Sequence, residues 1–299
     1  MVSRRPFMRL NHLRTWTPAL LAVTLLASCG KKKETPAAPT TEKMTVVASD
    51  VAPCLNGLRP TKEPMAVLRK GDLVYVKGEP KGHLVWKEKV DGVVTTRDSD
   101  MILFSRWPSR EELYIFTKDL GETIDVPNVA TFCDAIKQSG AKWQRYECDN
   151  ALQRHRTASG KFVGYIVCTE GQCPVALHHE GQTHVVTIDG LLDVRSYIVD
   201  GQTIFLATKR FSKNDGTWTG GAIVPIDFSG PAPKVLAEIP LDEVDARDAS
   251  IVRTRTVQTE LRGKTIRVFG DKAETERASG VVKSKEAFDE THPLLPVTL

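Results

Sequence analysis

The sequence predicts a mainly β protein, α+β overall, in which a small β module precedes a helical segment and an antiparallel β-meander. Short apolar runs between residues 45 and 104 are separated by the turn signals Asn56-Gly57, Lys70-Gly71-Asp72 and Asp91-Gly92. Polar and apolar residues alternate in later runs such as Ile251–Val257. The segment from Val129 to Ile136 instead has apolar residues at helical spacing.

The first 28 residues have the pattern of an export signal. Four arginines and no acid precede an apolar run from Pro18 to Ala27, about half the length that spans a membrane. The run ends in Leu26-Ala27-Ser28-Cys29, which resembles the lipobox of bacterial lipoproteins. The resemblance implies a lipid on the Cys29 sulfur, cleavage before Cys29 and anchoring in the cell envelope. The alternative is an ordinary cleaved signal. In the lipoproteins that this signal resembles, an Asp directly after the lipidated cysteine retains the protein at the inner membrane. This chain has Gly30 at that position, so the resemblance favours the outer membrane.

Residues 29–43 are predicted to be the lipidated cysteine and a disordered tether, because this stretch is polar and contains Pro36 and Pro39. The chain has a formal net charge of +4, and cleavage before Cys29 would remove four arginines and no acid. The mature chain would therefore have 37 basic and 37 acidic residues, and a net charge of zero. This balance argues against a nucleic-acid partner.

Residues 45–104 resemble a bacterial SH3-like domain. The matching residues include Lys70–Val76, Trp86 and Val90-Asp91-Gly92, whereas Val93-Val94-Thr95 departs from the family's pattern. The resemblance implies a small barrel with a binding groove near Tyr75 and Trp86. The alternative is that both aromatic side chains fill the barrel core.

Residues 105–284 are predicted to form an α+β domain, with helices at about 109–140 and an antiparallel sheet at about 160–284. Ser109 is a candidate N-cap for a helix over Leu113–Leu120. A second helix is expected from Pro127 to Ser139. Glu170-Gly171, Glu180-Gly181 and Asp200-Gly201 predict tight turns of the sheet. Residues 285–299 are expected to form a C-terminal tail with a short helix.

The cysteine count predicts two disulfides. A lipidated Cys29 cannot pair, so five of the six cysteines remain, in an oxidising compartment. We expect Cys133 to pair with Cys148 and Cys168 with Cys173, which leaves Cys54 as a buried thiol.

One cluster has the composition of a zinc site. If Gly181-Gln182 forms a turn, His179 lies opposite His184, and Cys168 and Cys173 are nearby in sequence. The competing interpretation is a disulfide-bridged hairpin with surface histidines, which we favour. No other cofactor is expected.

The sequence lacks the short motifs of serine hydrolases, zinc peptidases and calcium loops. We therefore expect an envelope lipoprotein that acts as a binding or structural module for the cell wall (peptidoglycan) or for a protein partner, and is held to the membrane by its lipid. The alternatives are an envelope enzyme whose site is assembled from distant residues, and a metal-binding protein that uses the His179/His184 hairpin.

Overall fold

The computed structural model describes residues 41–58, 64–90, 93–106, 112–143, 147–168, 171–213 and 216–294. These residues form three antiparallel β-sheets, two α-helices and one short 3-10 helix. The prediction of a mainly β, antiparallel protein is confirmed. The predicted signal, Cys29 and the tether up to residue 40 lie outside the described residues.

The first sheet has seven strands in the order β3-β2-β6-β5-β4-β1-β7. Its strands are β1 (Thr41–Val47), β2 (Ala52–Leu55), β3 (Ala66–Leu68), β4 (Leu73–Val90), β5 (Val93–Ser105), β6 (Leu113–Phe116) and β7 (Leu120–Pro127). The 3-10 helix Thr117–Asp119 lies between β6 and β7. β5 and β6 are hydrogen-bonded neighbours, so this sheet continues past residue 104.

The second sheet has four strands in the order β11-β10-β9-β8. They are β8 (Gln153–Arg156), β9 (Phe162–Tyr165), β10 (Gln172–His179) and β11 (Gln182–Asp189). Two helices precede it, α1 (Val129–Gln138) and α2 (Cys148–Ala151). The helix predicted over 127–139 is confirmed as α1. It begins at Val129 because the Asn128 side chain caps it, accepting a hydrogen bond from the Thr131 backbone N–H at 2.9 Å.

The third sheet has eight strands and is the largest. Seven follow the order β12-β13-β14-β16-β17-β18-β19, and β15 pairs with β14. The strands are β12 (Leu191–Val199), β13 (Gln202–Lys213), β14 (Trp218–Asp227), β15 (Lys234–Val235), β16 (Ile239–Asp245), β17 (Ile251–Arg262), β18 (Thr265–Glu276) and β19 (Val282–Pro293). Two of the predicted tight turns are present, at Glu180-Gly181 and Asp200-Gly201, with positive φ at all four residues.

Both predicted disulfides are present. Cys133 in α1 is bonded to Cys148 in α2, and Cys168 is bonded to Cys173 in β10. Cys54 is the free cysteine of the described part of the chain, and it is fully buried. Burial raises the pKa of the Cys54 thiol to about 12, so it stays protonated at neutral pH.

Three local predictions are wrong. The α-helix predicted over Leu113–Leu120 is replaced by β6, the 3-10 helix Thr117–Asp119 and the start of β7, because the run Leu113–Phe116 fills the gap between β2 and β5. Its proposed cap, Ser109, lies outside the described residues. The short helix predicted in 285–299 is replaced by β19, which pairs with β18 from Val282 to Pro293. The predicted tether ends early, since Thr41–Lys43 belong to β1.

A polar joint connects the first sheet to the second. Asp72 accepts a hydrogen bond from the buried His155 ring, with 3.1 Å between Oδ1 and Nδ1, and the Arg156 backbone N–H donates to the Gly71 carbonyl at 2.7 Å. Arg154, also buried, donates to Glu42 of β1 and to the Tyr75 hydroxyl of β4. Each of these side chains makes at least one hydrogen bond, which compensates part of the cost of burying it.

A hydrophobic core joins the second and third sheets. Val175 and Leu177 of β10 belong to one cluster with Phe205 of β13 and Ile226 of β14. Beside it, the buried Lys161 donates from its Nζ to three backbone carbonyls, those of Phe228, Ser229 and Gly230 at 3.0, 2.8 and 2.6 Å. The charge is thus satisfied without a carboxylate.

Replacing Gly71 tests the joint between the first two sheets. Gly71 has φ +95°, and a Cβ there would lie 2.5 Å from the Arg156 carbonyl oxygen and 2.5 Å from His155 Cε1. We expect Gly71→Ala to lower the free energy of unfolding by about 2–4 kcal/mol, the sum of backbone strain and overpacking. Gly140→Ala is the matched control, because Gly140 also has positive φ but no atom within 4 Å of its Cβ. Equal losses in the two variants, measured by chemical denaturation, would contradict the close approach.

Candidate functional site: a charged strip on the third sheet

The residues singled out by sequence for a groove lie in separate clusters. Trp86 is buried, stacked on Phe116 at 6.4 Å between ring centroids, as the core-filling alternative expected. Tyr75 is instead a part of the polar joint, with its hydroxyl 2.6 Å from Glu42 Oε2. Burial is the largest cause that raises the pKa of Tyr75 to about 12.

The expected histidine register is wrong by one residue. The turn is Glu180-Gly181, so His179 lies opposite Gln182, and His184 lies opposite Leu177. His179 and His184 are therefore diagonal neighbours. Cys168 and Cys173 are bonded to each other as a disulfide, so neither has a thiol that could bind zinc. Within the described ranges, no group of three or more His, Cys, Asp or Glu side chains could hold a metal ion.

The third sheet brings together a surface that the sequence did not reveal. Residues directly opposite one another on six adjacent strands, β13 to β19 without β15, form two continuous rows. The first row is Lys213, Trp218, Asp245, Arg253, Glu274 and Ser284, and the second is Phe211, Gly220, Glu243, Arg255, Lys272 and Glu286. Directly opposed residues project to the same face of a sheet. We call these two rows the charged strip.

A β-bulge sets the register of the charged strip. Gly220 of β14 lies opposite Glu243 of β16, and Ala222 lies opposite Pro240. A step of two residues along β14 therefore corresponds to a step of three residues along β16. The extra residue bends the ladder and places Glu243 and Asp245 opposite Gly220 and Trp218. Asp242, within the bulge, accepts a hydrogen bond from the Val257 backbone N–H at 2.6 Å, which ties the bulge to β17.

One end of the charged strip is aromatic. The rings of Phe211 and Trp218 meet edge to face at 5.2 Å between centroids. Gly220 makes room for this pair, because a Cβ there would lie 2.7 Å from Phe211 Cζ. The Arg247 guanidinium lies 4.3 Å from the Trp218 ring centroid, and the Trp218 indole N–H donates to Glu243 at 2.5 Å. Stacking and hydrogen bonding thus fix the orientation of the indole.

The other end is ionic. Arg253 donates to Glu274 across the strands at 2.8 Å. Arg255 lies 4.2 Å from the Phe288 ring centroid and donates to Glu290 at 3.0 Å, and Lys272 lies 5.1 Å from the same ring. Arg255 and Lys272 are directly opposed cations, and the aromatic face and the Glu290 carboxylate offset their repulsion.

The carboxyl groups around the charged strip are held in the ionised form. Hydrogen bonds from Arg247 lower the pKa of Asp245 to about 2. The hydrogen bond donated by Arg255 is the largest cause that lowers the pKa of Glu290, and the hydrogen bond that Arg253 donates to Glu274 is the largest cause that raises the pKa of Arg253. The rows contain four cations (Lys213, Arg253, Arg255 and Lys272) and four anions (Glu243, Asp245, Glu274 and Glu286), so their formal charge is 4 − 4 = 0.

Two open clefts run along the charged strip. A cleft of about 400 Å³ lies at the ionic end, among Arg253, Arg255, Lys272 and Glu286. A larger one of about 1090 Å³ lies at the aromatic end and includes Phe211 and Trp218. Glu243 lines both clefts. The arrangement can therefore contact an extended ligand with aromatic, cationic and anionic groups in a fixed order.

No protein-family model, curated protein or solved structure matches this chain. In the described part of the chain, no helix is both long enough and apolar enough to cross a membrane.

Acid should destabilise the third sheet. Among the described residues, the carboxyl groups with a lowered pKa are Asp245, Asp248, Glu260, Glu276, Asp289 and Glu290, and all belong to this sheet or its loops. A carboxyl whose pKa is lower in the folded state stabilises above its ordinary pKa and loses that contribution as the pH falls through the folded value. We expect the midpoint temperature of thermal unfolding to fall as the pH drops from 4.5, the ordinary pKa of Glu, to about 2, the pKa of Asp245.

The variant Glu290→Gln isolates one contribution. It removes the titrating group bonded to Arg255, so we expect a smaller loss of thermal stability over the same pH interval than in the wild-type protein. Glu79→Gln, an exposed position on β4, is the control and should leave the acid dependence unchanged. Identical acid dependence in Glu290→Gln and the wild-type protein would contradict the assigned pKa shift.

Proposed function

We propose that this protein is a lipid-anchored lipoprotein of the bacterial envelope, and that it acts as a non-catalytic binding module through the charged strip. The observation that carries the binding role is the pair of cross-strand rows, in which six strands place aromatic, cationic and anionic groups on one face. The lipobox-like Leu26–Cys29 supports the anchor. The outer membrane is the proposed location, because Gly30 follows Cys29.

Recognition suits this surface better than catalysis. A general acid or base works best with a pKa near the operating pH. Asp245 and Glu290 have pKa values shifted away from neutrality, by hydrogen bonds that also fix their side chains. Groups of this kind keep a constant charge over the physiological range, which favours the orientation of a ligand over the transfer of protons.

The ligand that we propose is the peptide part of the cell wall. Cell-wall peptides present carboxylates and amines in close sequence, and the charged strip presents cations and anions in equal number. Charge complementarity of this kind selects for a ligand with both charges and disfavours a polyanion. The mature chain, with a net charge of zero, supports the same choice.

The anchor is tested by metabolic labelling. Cells that express the full chain and grow with labelled palmitate should incorporate the label into this protein. Cys29→Ser should abolish the label and release the protein from the membrane fraction, because the thioether can no longer form. Cys54→Ser is the control, since Cys54 is buried in the folded protein. Equal labelling of the Cys29→Ser variant would contradict the anchor.

The ligand is tested by co-sedimentation with purified peptidoglycan sacculi at physiological salt. The wild-type protein should sediment with the sacculi. Lys272→Glu, which reverses one charge of the ionic end, should weaken binding about tenfold, as expected when a close charge pair becomes repulsive. Lys234→Glu makes the same change on exposed β15 outside the charged strip and should bind normally. Absence of wild-type sedimentation, or equal loss in both variants, would contradict the proposed ligand.

A further inference from the structure

Among the strands that the structure describes, β19 is an edge of the third sheet. It pairs with β18 along one side from Val282 to Pro293, and the strand order ends with it. The first six residues of β19 are all exposed, and Val282 is 55% exposed. An edge of this length has backbone N–H and C=O groups available for a further strand.

The charges of β19 are distributed asymmetrically. Lys283, Lys285 and Glu286 lie in its first half, and Asp289 and Glu290 lie in the second. Lysines on an edge strand usually oppose pairing with another strand. An antiparallel copy of β19, however, would bring its acidic half beside these lysines. The strand therefore complements itself in charge.

Among the registers centred on residues 285–289, the sequence of β19 favours one. When a two-fold axis passes beside residue i of two antiparallel copies, residue i lies opposite residue i of the second copy. Residue i−2 of one copy then lies opposite residue i+2 of the other. Centring on Lys285, Glu286 or Asp289 opposes two identical charges at the axis, and centring on Phe288 opposes Glu286 and Glu290. Centring on Ala287 opposes Lys285 to Asp289 on both sides of the axis and brings no like charges together.

The charged side chains of that register are accessible. Lys285 and Asp289 are 62% and 53% exposed, although each also contacts β18, at Asp271 and Arg267 respectively. Ala287, at the proposed axis, is exposed and small, so two copies could approach to the usual strand spacing.

We propose that this protein forms a symmetric homodimer in which β19 pairs antiparallel with β19 of a second copy, centred on Ala287. The two third sheets then form one continuous sheet. On the face of the charged strip, Glu286 of one copy lies opposite Phe288 of the second, and Ser284 lies opposite Glu290 of the second. The second copy thus places its own two rows on the same face of the continuous sheet, offset along the strands, so that the dimer presents two charged strips side by side.

Cross-linking of the full chain in native membranes tests the register. In an antiparallel pair, opposed Cα atoms are about 4.5–5.5 Å apart, which lies within the range of a disulfide. Ala287→Cys should therefore give a disulfide-linked species of twice the chain mass under mild oxidation. The wild-type protein and Ala278→Cys, an exposed position in the β18–β19 turn, are the controls and should not cross-link.

A charge variant tests the interface without cross-linking. Ala287→Lys brings two lysines together at the axis, whereas within one chain it lies opposite Asp271, so the monomer should remain folded. We expect the dimer dissociation constant, measured by sedimentation equilibrium, to rise at least about tenfold. Ala278→Lys should leave it unchanged.

Three results would overturn the homodimer. The first is a monomeric wild-type protein over the whole concentration range of the sedimentation experiment. The second is cross-linking of Ala287→Cys to a different protein, which would assign the edge to another partner. The third is an equal effect of Ala287→Lys and Ala278→Lys on association.

Discussion

The surface chemistry of this protein depends on one extra residue in β16. Along β14, two steps separate Ala222 from Gly220, whereas three steps separate Pro240 from Glu243 on β16. Since side chains alternate between faces, a regular ladder would place Asp242 rather than Glu243 opposite Gly220. The bulge therefore determines that Glu243 hydrogen-bonds to Trp218 and that Asp245 continues the row to Arg253. Every cross-strand pair of the charged strip beyond β14 inherits this register.

The rest of the fold holds this register in place. On the face opposite the charged strip, β13 and β14 contribute Ile204, Leu206 and Ile223 to a buried hydrophobic cluster, so the strands that begin the charged strip have a packed face behind them. The first sheet connects to the same assembly through Asp72, His155 and the buried Arg154, with each charge paired across strands. β17, β18 and β19 are joined by continuous backbone ladders, and the ion pairs between their side chains, such as Arg267–Asp289, are exposed, individually weak and sensitive to acid. The side-chain contacts at the ionic end of the charged strip therefore depend on pH, through carboxyl groups such as Glu290.

Sequence patterns predicted the strand-rich class, helix α1 and both disulfides, because these depend on local periodicity and on cysteine separations. They failed at Leu113–Phe116, where a candidate helix start was overridden by pairing with two strands distant in sequence. They also failed at the charged strip, because its residues come from six strands and meet only through the register. Gly220-Gly221 inside a strand was the available signal, since glycine within a strand often marks a bulge. The opposed pairing of His179 and His184 failed for a local reason, because it required a turn at Gly181-Gln182 and the turn is at Glu180-Gly181.

Nuclear Overhauser effects between backbone protons of β14, β16 and β17 test the register of β16 most directly. In deuterated protein with protonated backbone positions, we expect cross-strand contacts that link Gly220 to Glu243 and Glu243 to Arg255. These contacts would place the charged residues of both rows on one face of the third sheet, which is what the charged strip requires. Contacts that instead link Gly220 to Asp242 would show a ladder without the bulge, turn Glu243 to the opposite face and contradict the charged strip.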